Sequence, residues 1–360
     1  MKIIQLVTAR QSRGAELSAA WLSEQLVKKG VEVRYISLYH STDSTFSSNG
    51  LVAIDLGLPK KGGLNWSLVK SLKKALQDFR PDIVQANAGD TLKYAVLVRT
   101  LFGLRYKIVF RNASMVSNYI RSFPQRMFNG LLYKRTDYVL SVSRQSREDL
   151  IKLYPVCEGK SRVVPNGILT GTDSDKRELG SGQFHVLHIG GFTFEKNHEG
   201  LLRIFAAFLQ KKPEAYLHLV GDGPLKEDIE KFVSRMGLED HVTFYGFVTD
   251  PLSFISGADM LVLPSVIEGL PAVVLEAMYG QKPVVAYNVG GIAEAVSHNQ
   301  SGILSAKDDE QSFVTAMHTL SNDPALRQSM GRRGRTIVEE RFTMDRIAEQ
   351  FMEVYEQILG

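Results

Sequence analysis

The chain has 360 residues, 44% hydrophobic and 23% charged, which suits two globular cores of ordinary size and excludes a disordered or fibrous chain. One cysteine, Cys157, excludes an internal disulfide, no Cys or His cluster has metal-ligand spacing, and no run reaches the ~18 apolar residues of a membrane span. Net charge is +4, yet residues 1–165 hold 26 Lys and Arg against 12 Asp and Glu, and residues 166–360 hold 17 against 27, so the halves stand at +14 and −10. A basic half of that strength attracts phosphates, nucleic acid or anionic lipid headgroups.

Taken in chain order, the first apolar run, Ile3–Val7, is short for a span and lacks a cleavable-signal pattern, so a mature cytosolic protein is expected. Strand-like runs follow at Val33–Leu38, Ile83–Ala86, Ile108–Phe110 and Tyr138–Val142, with helix-length amphipathic stretches between most of them. Such alternation predicts βα units on a parallel sheet, because parallel neighbours need a long crossover. The segment Gly167–Gln183 is rich in Gly, Ser, Thr and Asp and reads as a linker. The scheme then resumes with Val186–Ile189, Tyr216–Val220, Val242–Tyr245, Met260–Leu263 and Pro283–Ala286. Phe342, Ile347, Phe351, Val354, Tyr355 and Ile358 stand at helical spacing, which predicts one amphipathic helix over Phe342–Leu359. The expected division is an N-terminal domain 1–166, a linker 167–183, a C-terminal domain 184–341 and a terminal helix 342–360. Two doubly wound α/β domains facing each other across a cleft place ligands at the carboxyl ends of the strands.

In one strand-loop-helix run, Leu263-Pro-Ser-Val-Ile-Glu268-Gly269-Leu270-Pro271-Ala-Val-Val-Leu-Glu276, two glutamates stand eight residues apart. A helix starting near Pro271 would aim the amides of Gly269 and Leu270, with the positive end of the dipole, at a phosphate or a sugar hydroxyl. Glu268 is placed to accept hydrogen bonds from a sugar and Glu276 from ribose hydroxyls. The plainer alternative is that Glu268 caps the helix and Glu276 is a solvated face residue.

This run resembles the hallmark segment of the family 4 retaining glycosyltransferases, which have the GT-B fold of two Rossmann-like domains. The likeness extends along nearly the whole chain, through Val164-Pro-Asn166-Gly167, His188-Ile-Gly190-Gly191-Phe-Thr-Phe-Glu195-Lys196-Asn197, Val220-Gly-Asp-Gly-Pro-Leu225, Phe244-Tyr-Gly246-Phe-Val248 and Gly290-Gly291 with Glu294. The resemblance implies that the donor is a nucleotide diphosphate sugar, with no obligatory metal or other cofactor. By the same resemblance Lys196 would pair with the diphosphate, the backbone near Phe247 and Val248 would hold the base, and Glu276 the ribose. Glu268, with Gly269, Leu270 and Pro271 beside it, would hold the transferred sugar, and the terminal helix would cross back to the N-terminal domain. Many members carry a diphosphate-binding arginine where this chain has Gly191, leaving Lys196 and helix amides as the phosphate ligands visible in this half. A dinucleotide-dependent oxidoreductase is disfavoured, since Gly221-Asp-Gly223-Pro-Leu-Lys and Thr8-Ala-Arg-Gln-Ser-Arg-Gly14 both lack the third fingerprint glycine.

In the N-terminal half, Arg13-Gly14-Ala-Glu16 opens the first long helix and resembles the family loop that touches the donor phosphates, with Arg13 a candidate to substitute for the arginine absent at Gly191. Many relatives have a sugar-contacting histidine near Phe110-Arg111-Asn112, where this chain has none; Arg111 and Asn112 stand as acceptor-side candidates, although an amide cannot serve as a base. Basic amphipathic stretches surround Trp66 (Lys60, Lys61, Lys70, Lys73, Lys74) and Phe123, Phe128 and Leu131 (Arg121, Arg126, Lys134, Arg135). They read either as ordinary helices with solvated charges or as segments that lie on an anionic membrane. A glycan or lipid-linked acceptor in envelope polysaccharide or lipopolysaccharide synthesis suits both, at the cytoplasmic face of the membrane; no nucleic-acid recognition motif accompanies the charge. The competing expectation is a catalytically silent nucleotide-sugar-binding scaffold, motivated by Gly191 and the absent histidine.

Overall fold

The computed structural model describes residues 1–10, 14–40, 51–58, 64–171, 177–180, 183–248 and 250–360. The chain forms two compact units, Met1–Leu169 with Met344–Gly360, and Thr170–Thr343.

In the first unit β1 (Lys2–Ala9), α1 (Gly14–Lys28), β2 (Glu32–Tyr39), β3 (Val52–Leu58), α2 (Trp66–Phe79), β4 (Ile83–Ala86), α3 (Gly89–Phe102), β5 (Lys107–Asn112), α4 (Phe123–Lys134), β6 (Tyr138–Ser141), α5 (Arg144–Leu153) and β7 (Ser161–Val163) alternate along the chain. The sheet order is β3-β2-β1-β4-β5-β6-β7, with parallel pairing throughout. The central strands, buried on both faces, are the continuous apolar runs of the sequence. The two that sequence patterning misses, β3 and β7, lie at the sheet edges, where one neighbour and partial burial leave a weaker apolar signature.

The second unit repeats the order with β8 (Phe184–Ile189), α6 (His198–Leu209), β9 (Ala215–Val220), α7 (Lys226–Met236), β10 (Val242–Gly246), α8 (Pro251–Gly257), β11 (Met260–Leu263), α9 (Ala272–Tyr279), β12 (Val284–Tyr287), α10 (Ile292–Ala295), β13 (Gly302–Ser305), α11 (Glu310–Asn322) and α12 (Pro324–Arg341). Its order is β10-β9-β8-β11-β12-β13, again all parallel. Edge strand β13 is the one sequence patterning does not anticipate.

The last helix, α13, spans Met344–Leu359 and buries Ile347, Phe351, Val354 and Tyr355 against α1 and β1, β4 and β5 of the first unit. Phe342, expected inside this helix, instead closes α12, its amide bonded to the Val338 carbonyl at 2.8 Å. The boundary also falls later than 166. Met344 donates to the Ile168 carbonyl at 2.8 Å, Ile168 is buried, and a Cβ on Gly167 would lie 2.8 Å from Ile347 Cγ1, so 167–169 belong to the first unit. The rest of the expected linker is in part bonded to the second unit, through Arg177 to Ser253 and Gly180 to His185; 172–176 and 181–182 lie outside the described residues.

Candidate functional site

In a sheet of this order the two strands that feed helices to opposite faces diverge at their carboxyl ends and leave a crevice. In the second unit those strands are β8 and β11, which pair at Met260–Val186 and Leu261–Leu187. The loops that follow them carry the residues singled out in the sequence. After β8 the chain makes a short turn at Phe194–Lys196, then Asn197, in the left-handed region at φ 53°, caps α6 by accepting from Gly200 N. After β11 it runs through Pro264–Leu270 to Pro271, the N-cap of α9, whose first residue is Ala272, one later than expected.

The loops are stitched together. Val266 N donates to the Glu195 carbonyl at 2.8 Å and Asn197 Nδ2 to the Pro264 carbonyl at 3.1 Å. Between them Lys196 Nζ meets Glu268 Oε1 at 2.6 Å, with Glu268 buried and Lys196 half-buried. Gly269 and Leu270 are buried beside the pair, and the Gly269 carbonyl accepts from Gly291 N. Gly290, at φ 56°, must be glycine, since a Cβ there would overlap the Glu268 carbonyl oxygen. The two-glycine loop after β12 therefore braces the backbone that carries Glu268.

Glu276 lies in the second turn of α9, half-buried; its backbone carbonyl accepts from Gly280 N at 2.9 Å, and its carboxylate has no hydrogen-bond or ion-pair partner among the described residues. Burial alone pushes its carboxyl up to about 7. At the end of β10, Phe247 is exposed and Val248 half-buried, and the Gly246 carbonyl accepts from Gly221 N, which ties this turn to the loop after β9. Gly191 faces the Asp222 carbonyl with space for a side chain: a Cβ there would sit 3.5 Å from that oxygen, an ordinary contact.

Two histidines that sequence reasoning passed over form the floor of the β8 loop. His188, fully buried, has Nδ1 2.9 Å from the Val262 carbonyl, so Nδ1 carries the proton and Nε2 is a bare acceptor. The His198 ring stacks on Phe192 at 4.1 Å and stands edge-on to His188 at 4.8 Å. Burial, with the Lys196 charge nearby, pulls His188 down to about 4 and His198 lower still, so both are neutral at physiological pH. His188 Nε2, both His198 nitrogens and Ser265 Oγ are buried with no hydrogen-bond partner among the described residues, an unusual concentration of unpaired polar atoms around one lysine. The one visible sign in the sequence is that both histidines flank the glycine-containing loop; their pairing needs the fold.

The first-unit candidates are placed differently. Gly14 begins α1 with open space around it, and Arg13 lies outside the described residues. Arg111 and Asn112, expected to face an acceptor, are interior struts. Arg111 donates to the Val164 and Pro165 carbonyls and to Asn166 Oδ1, lies over the Phe351 ring, and has its pKa lowered by burial. Asn112 Nδ2 donates to Ser141 Oγ and to the Ser146 carbonyl. The reason is position: at the end of central strand β5 Arg111 meets α13 and residues 164–166, and Asn112 meets α5, so both side chains face packed elements. At this unit's own switch point Gln5, Gln85, Asn87 and Tyr355 close a buried network, with Tyr355 donating to Gln85 Oε1 at 2.6 Å and Asn87 Nδ2 to Gln5 Oε1 at 3.0 Å. Among the described residues no group of three or more His, Cys, Asp or Glu is arranged to hold a metal ion, and no helix is long and apolar enough to cross a membrane.

Comparison with known proteins identifies the family and the fold. Residues 171–337 match the profile of Glycosyl transferases group 1, and residues 12–171 that of Glycosyltransferase Family 4. The N-acetyl-alpha-D-glucosaminyl L-malate synthase of Bacillus anthracis is 31% identical over 275 residues, 74% of this chain and 71% of that protein. A Campylobacter jejuni transferase, named for adding N-acetylgalactosamine to a diphospho-undecaprenol-linked sugar, is 24% identical over 251 residues, 68% of each chain. For two other curated glycosyltransferases the match spans 59% and 45% of their length. Among solved structures, Anabaena HepE in complex with UDP and glucose superposes with a TM-score of 0.87 at 22% identity, over 99% of both chains, which establishes the GT-B fold.

Proposed function

This chain belongs to glycosyltransferase family 4, and from that premise we propose that it moves a sugar, with retention at the anomeric carbon, from a UDP-sugar to a hydroxyl of a glycan or lipid-linked acceptor in cell-envelope polysaccharide or lipopolysaccharide assembly. The observation that carries the reading is the Lys196–Glu268 pair, held at the sheet's switch point by two mutually bonded loops ahead of α9. UDP as the nucleotide is supported by the HepE complexes with UDP and UDP-glucose, and a lipid-linked acceptor by the Campylobacter relative.

In this mechanism the donor separates the ion pair. The diphosphate takes the Lys196 ammonium, which offsets the charge that grows as the bond from the anomeric carbon to phosphate oxygen breaks. Glu268 turns to hydroxyls of the departing sugar, and Glu276 accepts from the ribose. Backbone groups at Phe247 and Val248 hold the base. The acceptor oxygen bonds to the anomeric carbon on the face the diphosphate leaves, and its proton passes to the leaving phosphate oxygen. No strong protein base is required, so orientation and charge supply the catalysis. The neutral floor of His188 and His198 adds no competing positive charge beneath the lysine.

The test is incubation of the protein with a panel of UDP-hexoses without acceptor, following free UDP. Slow hydrolysis of one donor, absent in Lys196→Ala, is expected. UDP-sugars that bind but are never cleaved, with or without added lipid-linked glycans, would favour a silent sugar-nucleotide-binding scaffold instead.

A further inference from the structure

Helix α4 turns its apolar side outward. Its buried anchors are Leu132 and Tyr133 near the C-terminal end, where the Tyr133 ring meets Phe110 edge-on at 5.6 Å and Tyr154 at 4.7 Å, and Lys160 Nζ holds the Tyr133 carbonyl at 2.7 Å. The N-terminus is preformed by Ser122, whose side chain accepts from Gln125 N, and by Pro124 in the first turn. Yet Phe123 is 74% exposed, Met127 55%, Leu131 52% and Phe128 46%, with Pro124 exposed among them. At about 100° per residue these five side chains sweep an arc of about 140°, facing away from Leu132 and Tyr133.

The charges around the arc have one sign. Arg121, Arg126, Lys134 and Arg135 are all exposed, none has an acidic partner among the described residues, and no Asp or Glu occurs between Ile120 and Thr136. A protein interface burying this arc would have to supply a carboxylate for each flanking cation. An anionic bilayer supplies them all at headgroup depth, while the rings and thioether enter the acyl boundary. We propose that α4 is a membrane-docking helix that seats the first unit on an anionic lipid surface through Phe123, Met127, Phe128 and Leu131. This goes beyond the transferase reading, because docking requires neither donor nor turnover.

The experiment is co-sedimentation of the full-length protein with vesicles of phosphatidylcholine alone or with 30 mol % phosphatidylglycerol, at low and high salt, an arrangement chosen on the general expectation that basic interfacial helices select anionic lipid. Two variants accompany it, Phe123→Gln/Met127→Gln/Leu131→Gln and Arg121→Glu/Arg126→Glu. All five side chains are exposed, and carboxylates near the start of α4 suit its dipole, so both variants should fold; thermal melts and UDP binding by the same samples verify this. Expected are binding to the anionic vesicles alone, a fall of about tenfold or more at high salt, and a loss of similar size in each variant. Wild-type protein remaining in the supernatant with anionic vesicles at low salt would overturn the proposal. So would variants that sediment like wild type, or a concentration-dependent dimer abolished by the triple Gln variant in a protein that ignores vesicles.

Discussion

At the residue scale the site rests on ionisable groups whose behaviour depends on burial. Lys196 and Glu268 form an ion pair, and the proposed chemistry redirects both. On those roles Lys196→Ala should lower turnover about 100-fold or more, the usual loss of one preorganised electrostatic group. A variant with native circular dichroism that turns over like the parent would remove Lys196 from the mechanism. Glu276 supplies a pH signature. Its carboxyl titrates near 7 when folded against 4.5 ordinarily, so its stability contribution is whole below about pH 4.5 and is lost as pH rises through 7. Glu276→Gln should therefore match the parent near pH 4.5 and exceed it at pH 8 by about 1–3 kcal/mol in denaturant titrations, the range allowing for partial solvent screening. Nucleotide binding runs the other way. In the proposed role ribose hydroxyls would donate to the ionised carboxylate, so parent affinity for UDP should rise between pH 6 and 8 with proton release, and calorimetry showing a flat profile would sink the ribose assignment. Gly191 offers a gain of function. Because a Cβ fits beside the Asp222 carbonyl, Gly191→Arg should fold and bind UDP several-fold to about tenfold more tightly, as a charge-assisted contact allows. Unchanged affinity in isothermal titration would mean that the diphosphate does not reach this position.

At the element scale the second unit's central strands and the loops after them are plain in the sequence because strands buried on both faces are apolar runs and their loops carry Gly and Pro. Edge strands β3, β7 and β13 are not, since half of the burial that would mark them is missing. Helix α13 is legible as amphipathic, but its partners are not, for a periodic stripe does not state what covers it. Tyr355 shows what the docking adds: its hydroxyl donates to Gln85 Oε1 and lies 3.4 Å from Gln5 Nε2, inside the first unit's sheet. Tyr355→Phe leaves those buried amides short of a partner and should destabilise the protein by about 1–3 kcal/mol. UDP affinity, which the proposed mechanism assigns to the second unit, should not change. Denaturant midpoints together with UDP titration measure both, and an undiminished midpoint would show that the network adjusts without the hydroxyl.

At the scale of the whole molecule two units of like topology divide the charge, and the residues proposed to hold the donor all described lie in the second except Gly14. Hydrogen exchange with and without UDP should therefore show slowed amides after β8, β10 and β11, with the helices of the first unit's core little changed; protection confined to the first unit would relocate the nucleotide. The sequence alone determined the α/β class, the order of the loops, the paired glutamates and the likeness to family 4, because alternating periodicity and local spacing are written along one strand of chain. Tertiary structure decided the rest. It turned Arg111 and Asn112 inward, tied 167–169 to the first unit, joined Lys196 to Glu268 across 72 positions of sequence, raised the Glu276 carboxyl and faced the apolar arc of α4 to solvent. Each of these depends on which surfaces meet, and burial, desolvation and pairing exist only once distant segments have been brought together.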